Sequence, residues 1–190
     1  MLEQEWETSL LIKSHFLKEQ YVQIIQEFFP GCVNLDEFMA MFSQTFHEYQ
    51  ESNRRKMDPD SIRERKISCS SAAALLGVWW SIQFPQSLPI FLIEAKIDRT
   101  ASKTTAHVSV VLPPPQGVSI YEAILAFTDQ RAMRNDLHII DWTSHSSMKP
   151  TNPNCSYPVY PLTGLDSYLR NRLQILGLLS KYSTKNPVHG

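Results

Sequence analysis

The sequence lacks any long apolar run. The longest unbroken one, Ala72–Trp80, is nine residues, whereas a helix that spans a bilayer needs about 20. The first seven residues carry three acids and no cationic segment ahead of an apolar stretch, so a cleaved secretory signal is not expected. We predict no membrane span and a cytoplasmic location, although a protein exported without a cleaved signal would share these features.

Cysteine is scarce and shows no pairing pattern. The three cysteines, Cys32, Cys69 and Cys155, are far apart and form no CxxC motif. This spacing argues against a structural zinc site and against a disulfide framework. Because the number is odd, at least one thiol is free.

A net excess of charge is also missing, since the formal net charge is -1. No global field is therefore expected to recruit nucleic acid. The distribution is uneven: residues 1–66 hold 8 basic and 12 acidic side chains (net -4), and residues 67–190 hold 10 and 7 (net +3). We predict a helical N-terminal segment, 1–57, and an α+β core, 58–190. The segment is either packed on the core as a cap or is an acidic arm that docks a protein partner.

The N-terminal segment has helical periodicity. Apolar residues recur between Leu10 and Phe28, and Pro30 with Gly31 ends that helix. Asn34 and Glu37 form a capping-box pattern that opens a second helix, whose apolar stripe continues to Tyr49. Asp58-Pro59 predicts the start of a short helix or, equally, a linker.

The remaining chain alternates between helical and extended patterns. Residues 69–80 predict a helix buried on nearly every side, with Ser68 as its N-cap. The expected fold class is α+β, with this helix packed on a small antiparallel sheet. The other predicted elements are strands at 90–97, 107–112 and 137–143, a helix from Ser119 to about Met133, a loop over 144–163 and a closing helix over 165–182.

Three residues have positions that suit nucleophilic catalysis. Cys69 is expected in the first turn of the buried helix, where unpaired amides and the helix dipole stabilise a thiolate and an oxyanion. His107 is expected at the start of a strand, as general base. Asp141 interrupts an apolar strand, and orienting an imidazole is one way to pair its carboxylate.

These segments resemble the papain-like cysteine enzyme superfamily, in its transglutaminase-like branch. The matching pieces are Ser68–Ala74 as nucleophile helix, Ala106–Val110 as histidine strand and His138–Thr143 as acid strand. The resemblance implies a papain-like core with Cys69 as nucleophile, His107 as base and Asp141 as orienter. Members hydrolyse or transfer acyl groups of peptide, isopeptide or glutamine amides, and bacterial effectors with this core include proteases and deamidases.

The sequence also departs from the family pattern. Ile67-Ser68 stands before the cysteine where members usually carry glycine or another small residue, and Asn53 is the distant candidate for an upstream oxyanion donor. The histidine strand is also similar to that of NlpC/P60 peptidoglycan peptidases. Those usually place Asp directly before the cysteine, which this chain does not.

Each site residue also has a purely structural interpretation. A cysteine in an alanine-rich helix is often a small core residue, a histidine in a strand is often a surface donor, and an aspartate after a strand often binds turn amides. Strand alternation places His138 on the face opposite Asp141. Weaker candidates are His145 as a substitute third member, Asp129 and Asp136 at turns, Cys155 as an exposed loop thiol, and Cys32 as a structural thiol.

Two function classes follow. The first is a cysteine-dependent acyl-transfer enzyme, a protease or glutamine deamidase, that acts on a protein or peptide amide without metal or organic cofactor. The second is a non-catalytic adaptor on a degenerate papain-like fold. The reactivity of Cys69 distinguishes them, since a thiol that alkylates with a midpoint well below about 8.5 favours the enzyme.

Overall fold

A computed structural model describes residues 2–46, 48–49, 57–98, 103–114, 117–128, 137–142, 155–156 and 158–183. Within these ranges the chain is α+β, as expected. The helices are α1 (Leu2–Phe28), α2 (Leu35–Thr45), α3 (Pro59–Arg63), α4 (Cys69–Gln83), α5 (Ile120–Thr128) and α6 (Leu165–Ser183). The strands are β1 (Glu48–Tyr49), β2 (Lys66–Ile67), β3 (Ile90–Asp98), β4 (Lys103–Leu112), β5 (His138–Ile140), β6 (Cys155–Ser156) and β7 (Val159–Thr163).

The main sheet is antiparallel and has the order β5-β4-β3, with β6 and β7 both paired to the outer edge of β3. The prediction of a loop over 144–163 is therefore wrong where β6 and β7 lie. Pro161 lies within β7 opposite Leu92, and an edge strand accepts a proline because one side of it needs no amide donor. The proline-rich composition of this segment therefore predicts a loop where the structure has a strand.

The sheet is covered on both faces. On one face Phe91, Ile93, Val108 and Val110 join the main core, and on the other Ile90, Leu92 and Val111 pack with Ala123 of α5 and with Leu137. This division follows the alternation of side chains along β3 and β4. The sheet is thus the middle layer between α5 and the helices of the main core.

Helix α4 runs through the main core, and its side chains from Cys69 to Trp80 are buried. A helix that is apolar on nearly every side is stable only where protein or lipid surrounds it. Gly77 brings it close to the sheet, because a Cβ at this position would lie 2.6 Å from Phe91 Cζ. Side chains of α1, α2 and α6 complete the same cluster, including Tyr21, Phe38 and Tyr168.

The predicted helix starts are seen in the hydrogen bonds. Asn34 Oδ1 accepts from the Glu37 amide at 2.9 Å, Asp58 caps α3, and Ser119 exchanges bonds with Glu122 at the start of α5. α2 ends before Tyr49, which lies in β1 instead of continuing the helical stripe. The predicted domain boundary near residue 57 stays a prediction.

No helix in the described part of the chain combines the length and the apolar character needed to cross a membrane.

Candidate active site

Cys69 is the first residue of α4, and Ser68 is its N-cap, as predicted. Ser68 Oγ accepts a hydrogen bond from the Ser71 amide at 3.2 Å, and the Ser68 carbonyl accepts from the Ala72 amide at 2.8 Å. The amides of Cys69 and Ser70 precede these bonds and point out of the helix start. Cys69 Sγ therefore stands where the positive end of the helix dipole favours an anion.

His107 and Asp141 form a close pair. His107 Nε2 lies 2.6 Å from Asp141 Oδ1. Cys69 also hydrogen bonds to the His107 side chain. Because Nε2 faces the carboxylate, Nδ1 is the ring nitrogen left for the thiol. The structure thus brings all three sequence-predicted site residues together around one imidazole.

The strand positions of the pair differ from the sequence-based expectation. β4 begins at Lys103, so His107 lies inside a strand and pairs with Glu94 rather than opening the strand after a turn. The β-branched pair Thr104-Thr105 fits an extended strand despite its polarity. β5 ends at Ile140, and Asp141 follows it instead of lying within it.

The short pairing of β5 with β4 explains how the aspartate reaches the histidine. Within the described residues, β5 pairs with Val110, Val111 and Leu112 of β4. Beyond this short ladder the chain leaves the strand at Asp141, alongside the part of β4 that carries His107. The carboxylate therefore needs no place in the ladder to reach Nε2.

The environment raises the pKa of His107 to about 9. Burial, the largest influence, lowers this pKa, but the hydrogen bonds of the ring to Asp141 and Cys69 and the negative charges of both outweigh it. The side chains of His107 and Asp141 are only 20% and 18% exposed, so solvent screens their attraction weakly. At neutral pH the imidazole is therefore held as a cation between the Asp141 carboxylate and the Cys69 sulfur.

Sequence reasoning missed two residues of α6 that contact the start of α4. The Tyr168 hydroxyl donates to the Ser70 carbonyl at 3.0 Å, and Arg172 Nη2 donates to Ser70 Oγ at 2.9 Å. A signal was present, because Arg172 lies seven positions after Leu165 on the buried face of α6. A charged residue on an apolar stripe has a specific partner in most folds.

Ser71, in the same first turn of α4, has hydrogen-bond partners of its own. Ser71 Oγ lies 3.0 Å from Ser68 Oγ and accepts from the Met57 amide at 3.2 Å. Met57 has a φ of 83°, a backbone conformation that costs a non-glycine residue about 1–3 kcal/mol. The Tyr21 hydroxyl donates to Met57 Sδ at 3.9 Å. The first turn of α4 is thus fixed by side chains and main chain from α1, α6 and the segment before α3.

The weaker candidates do not join the site within the described residues. His138 is exposed and lines a groove with Trp80 and Phe84 at the far end of α4. Cys32 is buried, with Sγ 3.7 Å from the Asn34 carbonyl. Cys155 lies in β6 rather than in the predicted loop. Four residues lie outside the described ranges: Asn53, Asp129, Asp136 and His145.

No group of three or more His, Cys, Asp or Glu side chains comes together as a metal site within the described ranges. Comparisons with protein-family models, with curated proteins and with solved structures found no match.

Proposed function

We propose that the protein is a cysteine-dependent acyl-transfer enzyme that acts on a protein or peptide amide, as a protease or glutamine deamidase. One observation carries the proposal: the His107 imidazole bonds to Asp141 on one side and to the Cys69 thiol on the other. This is the arrangement of nucleophile, base and orienting group that covalent catalysis requires. The resemblance to the transglutaminase-like branch of the papain-like superfamily supports the same roles.

The first half of the reaction makes a thioester. The Cys69 thiolate attacks the amide carbonyl carbon, a C–S bond forms, and the carbonyl π electrons move to oxygen. The amides of Cys69 and Ser70 stabilise that oxyanion. When the tetrahedral intermediate collapses, the C–N bond breaks and imidazolium His107 gives its proton to the departing nitrogen. A peptide bond releases an amine in this step, and a glutamine side chain releases ammonia.

The second half regenerates the thiolate. Neutral His107 removes a proton from water, and the resulting hydroxide attacks the thioester carbonyl. Collapse of this second intermediate breaks the C–S bond and releases a carboxylic acid. Asp141 keeps the ring oriented and stabilises its cationic form in both halves. The acid and the imidazolium–thiolate pair are the products, so the cycle closes without a cofactor.

The ionisation of Cys69 tests this proposal without a known substrate. Iodoacetamide alkylation is followed from pH 4 to pH 10 and read on the Cys69 peptide by mass spectrometry, because the chain has two other cysteines. We expect a midpoint well below about 8.5, the ordinary thiol pKa. In His107→Gln the midpoint should rise toward that value. A wild-type midpoint near 8.5 that is insensitive to His107 would favour the adaptor alternative instead.

Turnover is then measured on a peptide library. New amino termini indicate a protease, and released ammonia indicates a deamidase. Cys69→Ala should abolish either signal while the protein keeps its far-UV spectrum and melts cooperatively. Turnover that persists in Cys69→Ala would refute the assignment of the nucleophile.

A further inference from the structure

Ser70, the residue directly after Cys69, is held by α6 through two buried hydrogen bonds. Arg172 binds its hydroxyl at 2.9 Å, and Tyr168 binds its carbonyl at 3.0 Å. Tyr168 and Arg172 are four residues apart and so lie on one face of α6. The amide of Ser70 is also one of the two proposed oxyanion donors. Helix α6 therefore fixes the residue that connects the nucleophile to the rest of α4.

Arg172 is unusual because its guanidinium is buried, with 4% of the residue exposed. Within the described residues it forms no ion pair, and its Nε has no hydrogen-bond partner. A buried charge without an opposite charge costs several kcal/mol, and an apolar side chain of similar volume is often at least as stable. Stability alone is therefore a poor reason for an arginine at this position.

An anion next to Ser70 would account for the buried cation, and the thiolate form of Cys69 is such an anion. The Tyr168 hydroxyl lies in the field of both groups. Burial is the main cause of its raised pKa, the Arg172 charge lowers this pKa, and the Cys69 charge raises it. The guanidinium on α6 and the Cys69 side chain on α4 thus both act on one buried hydroxyl.

We propose that Arg172 is a positioning residue for the nucleophile. By its bond to Ser70 and by its buried positive charge, it fixes the first turn of α4 and favours the ionised form of Cys69. The inference rests on the proposed function, because it assumes that a thiolate at this position is the working state of the protein.

The test compares Cys69 alkylation by iodoacetamide across pH in four variants of the full chain. Arg172→Met removes the charge and keeps the volume, and Arg172→Lys keeps the charge. Ser70→Ala removes only the hydroxyl that accepts the bond. Arg170→Met is the matched control, since it deletes an arginine from the exposed side of the same helix.

In Arg172→Met we expect the alkylation midpoint to rise by about one pH unit, which slows the reaction about tenfold at pH values below both midpoints. Arg172→Lys should recover at least half of that shift, Ser70→Ala should slow the reaction about threefold because the charge remains, and Arg170→Met should match the wild type. A purely structural arginine would lower the melting temperature and leave the midpoint unchanged.

A folded Arg172→Met protein with the wild-type midpoint would overturn the inference. If that variant does not fold, Ser70→Ala decides: a wild-type rate at a pH below the wild-type midpoint would overturn the inference, and a rate about threefold lower would support it. Failure of the proposed function is distinguishable, because the wild-type midpoint itself would then lie near about 8.5 and be insensitive to His107.

Discussion

The buried part of α4 runs from Cys69 to Trp80, and its two ends are held by different forces. At the first turn, Ser70 and Ser71 accept hydrogen bonds from other elements, and Cys69 meets His107. At the last turns, Trp79 stacks on Phe38 with ring centroids 4.8 Å apart. Each hydrogen bond contributes little net stability but requires a specific geometry. Burial of an aromatic ring contributes more stability and tolerates a wider range of geometries.

The two ends of the helix therefore have different roles: one anchors α4, and the other positions Cys69. The aromatic end anchors α4 to α2, and even its polar atoms bond to main chain: Trp79 Nε1 donates to the Cys32 carbonyl at 3.1 Å, and Trp80 Nε1 to the Ser87 carbonyl at 2.9 Å. The polar first turn holds the Cys69 thiol at the end of the helix where a negative charge is favoured. Substitutions should consequently affect stability most at the aromatic end and reactivity most at the serine end.

The largest loss of stability is expected from Trp79→Ala. Removing this fully buried ring and its contacts should lower the free energy of unfolding by about 3–5 kcal/mol. Urea titration measures the loss. Ile82→Ala, one turn away with 48% of the residue exposed, is the control and should change stability by less than about 0.5 kcal/mol. Equal losses of stability in the two variants would show that the buried Trp79 ring does not anchor this end of α4.

Gly77→Ala, midway along α4, should cost about 1–3 kcal/mol because the new methyl group would overlap Phe91 Cζ. The helix propensity of alanine offsets about 1 kcal/mol of strain at most. Phe91→Leu in the Gly77→Ala background should recover part of the loss if the overlap is the cause. Chemical denaturation of the single and double variants checks this, and a stabilised single variant would contradict it.

The stability contributed at the polar end of α4 should depend on pH, because the His107 imidazole there titrates. The pKa of His107 rises from the ordinary 6.5 to about 9 on folding. A raised pKa stabilises the fold fully below about 6.5, and this contribution is lost as pH rises through about 9. We expect about 1.5 kcal/mol at pH 6, the lower end for a charged hydrogen bond, because the imidazole is partly exposed.

Melting temperatures from pH 6 to pH 10 measure this effect. The gap between wild type and His107→Gln should be widest at pH 6 and close toward pH 10. His15→Gln is the matched control, since His15 pairs with Glu19 on the exposed surface of α1. A gap that is constant over this range would show that the pair with Asp141 does not hold the imidazole as a cation.

Ser68→Ala should have the smallest effect on stability, about 1 kcal/mol for loss of the N-cap. It should nevertheless shift the alkylation midpoint of Cys69 upward, because the helix start would fray beside the thiol. Ser68→Thr keeps the capping oxygen and should restore both quantities. A Ser68→Ala variant with lower stability but an unchanged midpoint would separate the cap from the reactivity of the thiol.

Local rules explain how much of the site could be predicted. The cap at Ser68 and the helix that follows it depend on neighbours three or four residues apart, and the sequence shows them directly. The order of Cys69, His107 and Asp141 suggested a shared site by resemblance. Their hydrogen bonds depend on strand pairing, and the ends of β4 and β5 were misplaced because polar β-branched residues and a short ladder leave weak signals.

The α+β class, the capped start of α4 with its buried residues, and the polar first turn that places Cys69 at a helix start all follow from residues close together in the sequence. The groups that surround that turn depend on tertiary packing. Ser70 meets Arg172 across 102 residues of chain, and His107 meets Asp141 across 34. Such contacts are set by how the α6 helix and the edge of β4 pack around α4, and packing over these distances leaves no periodic pattern in the chain.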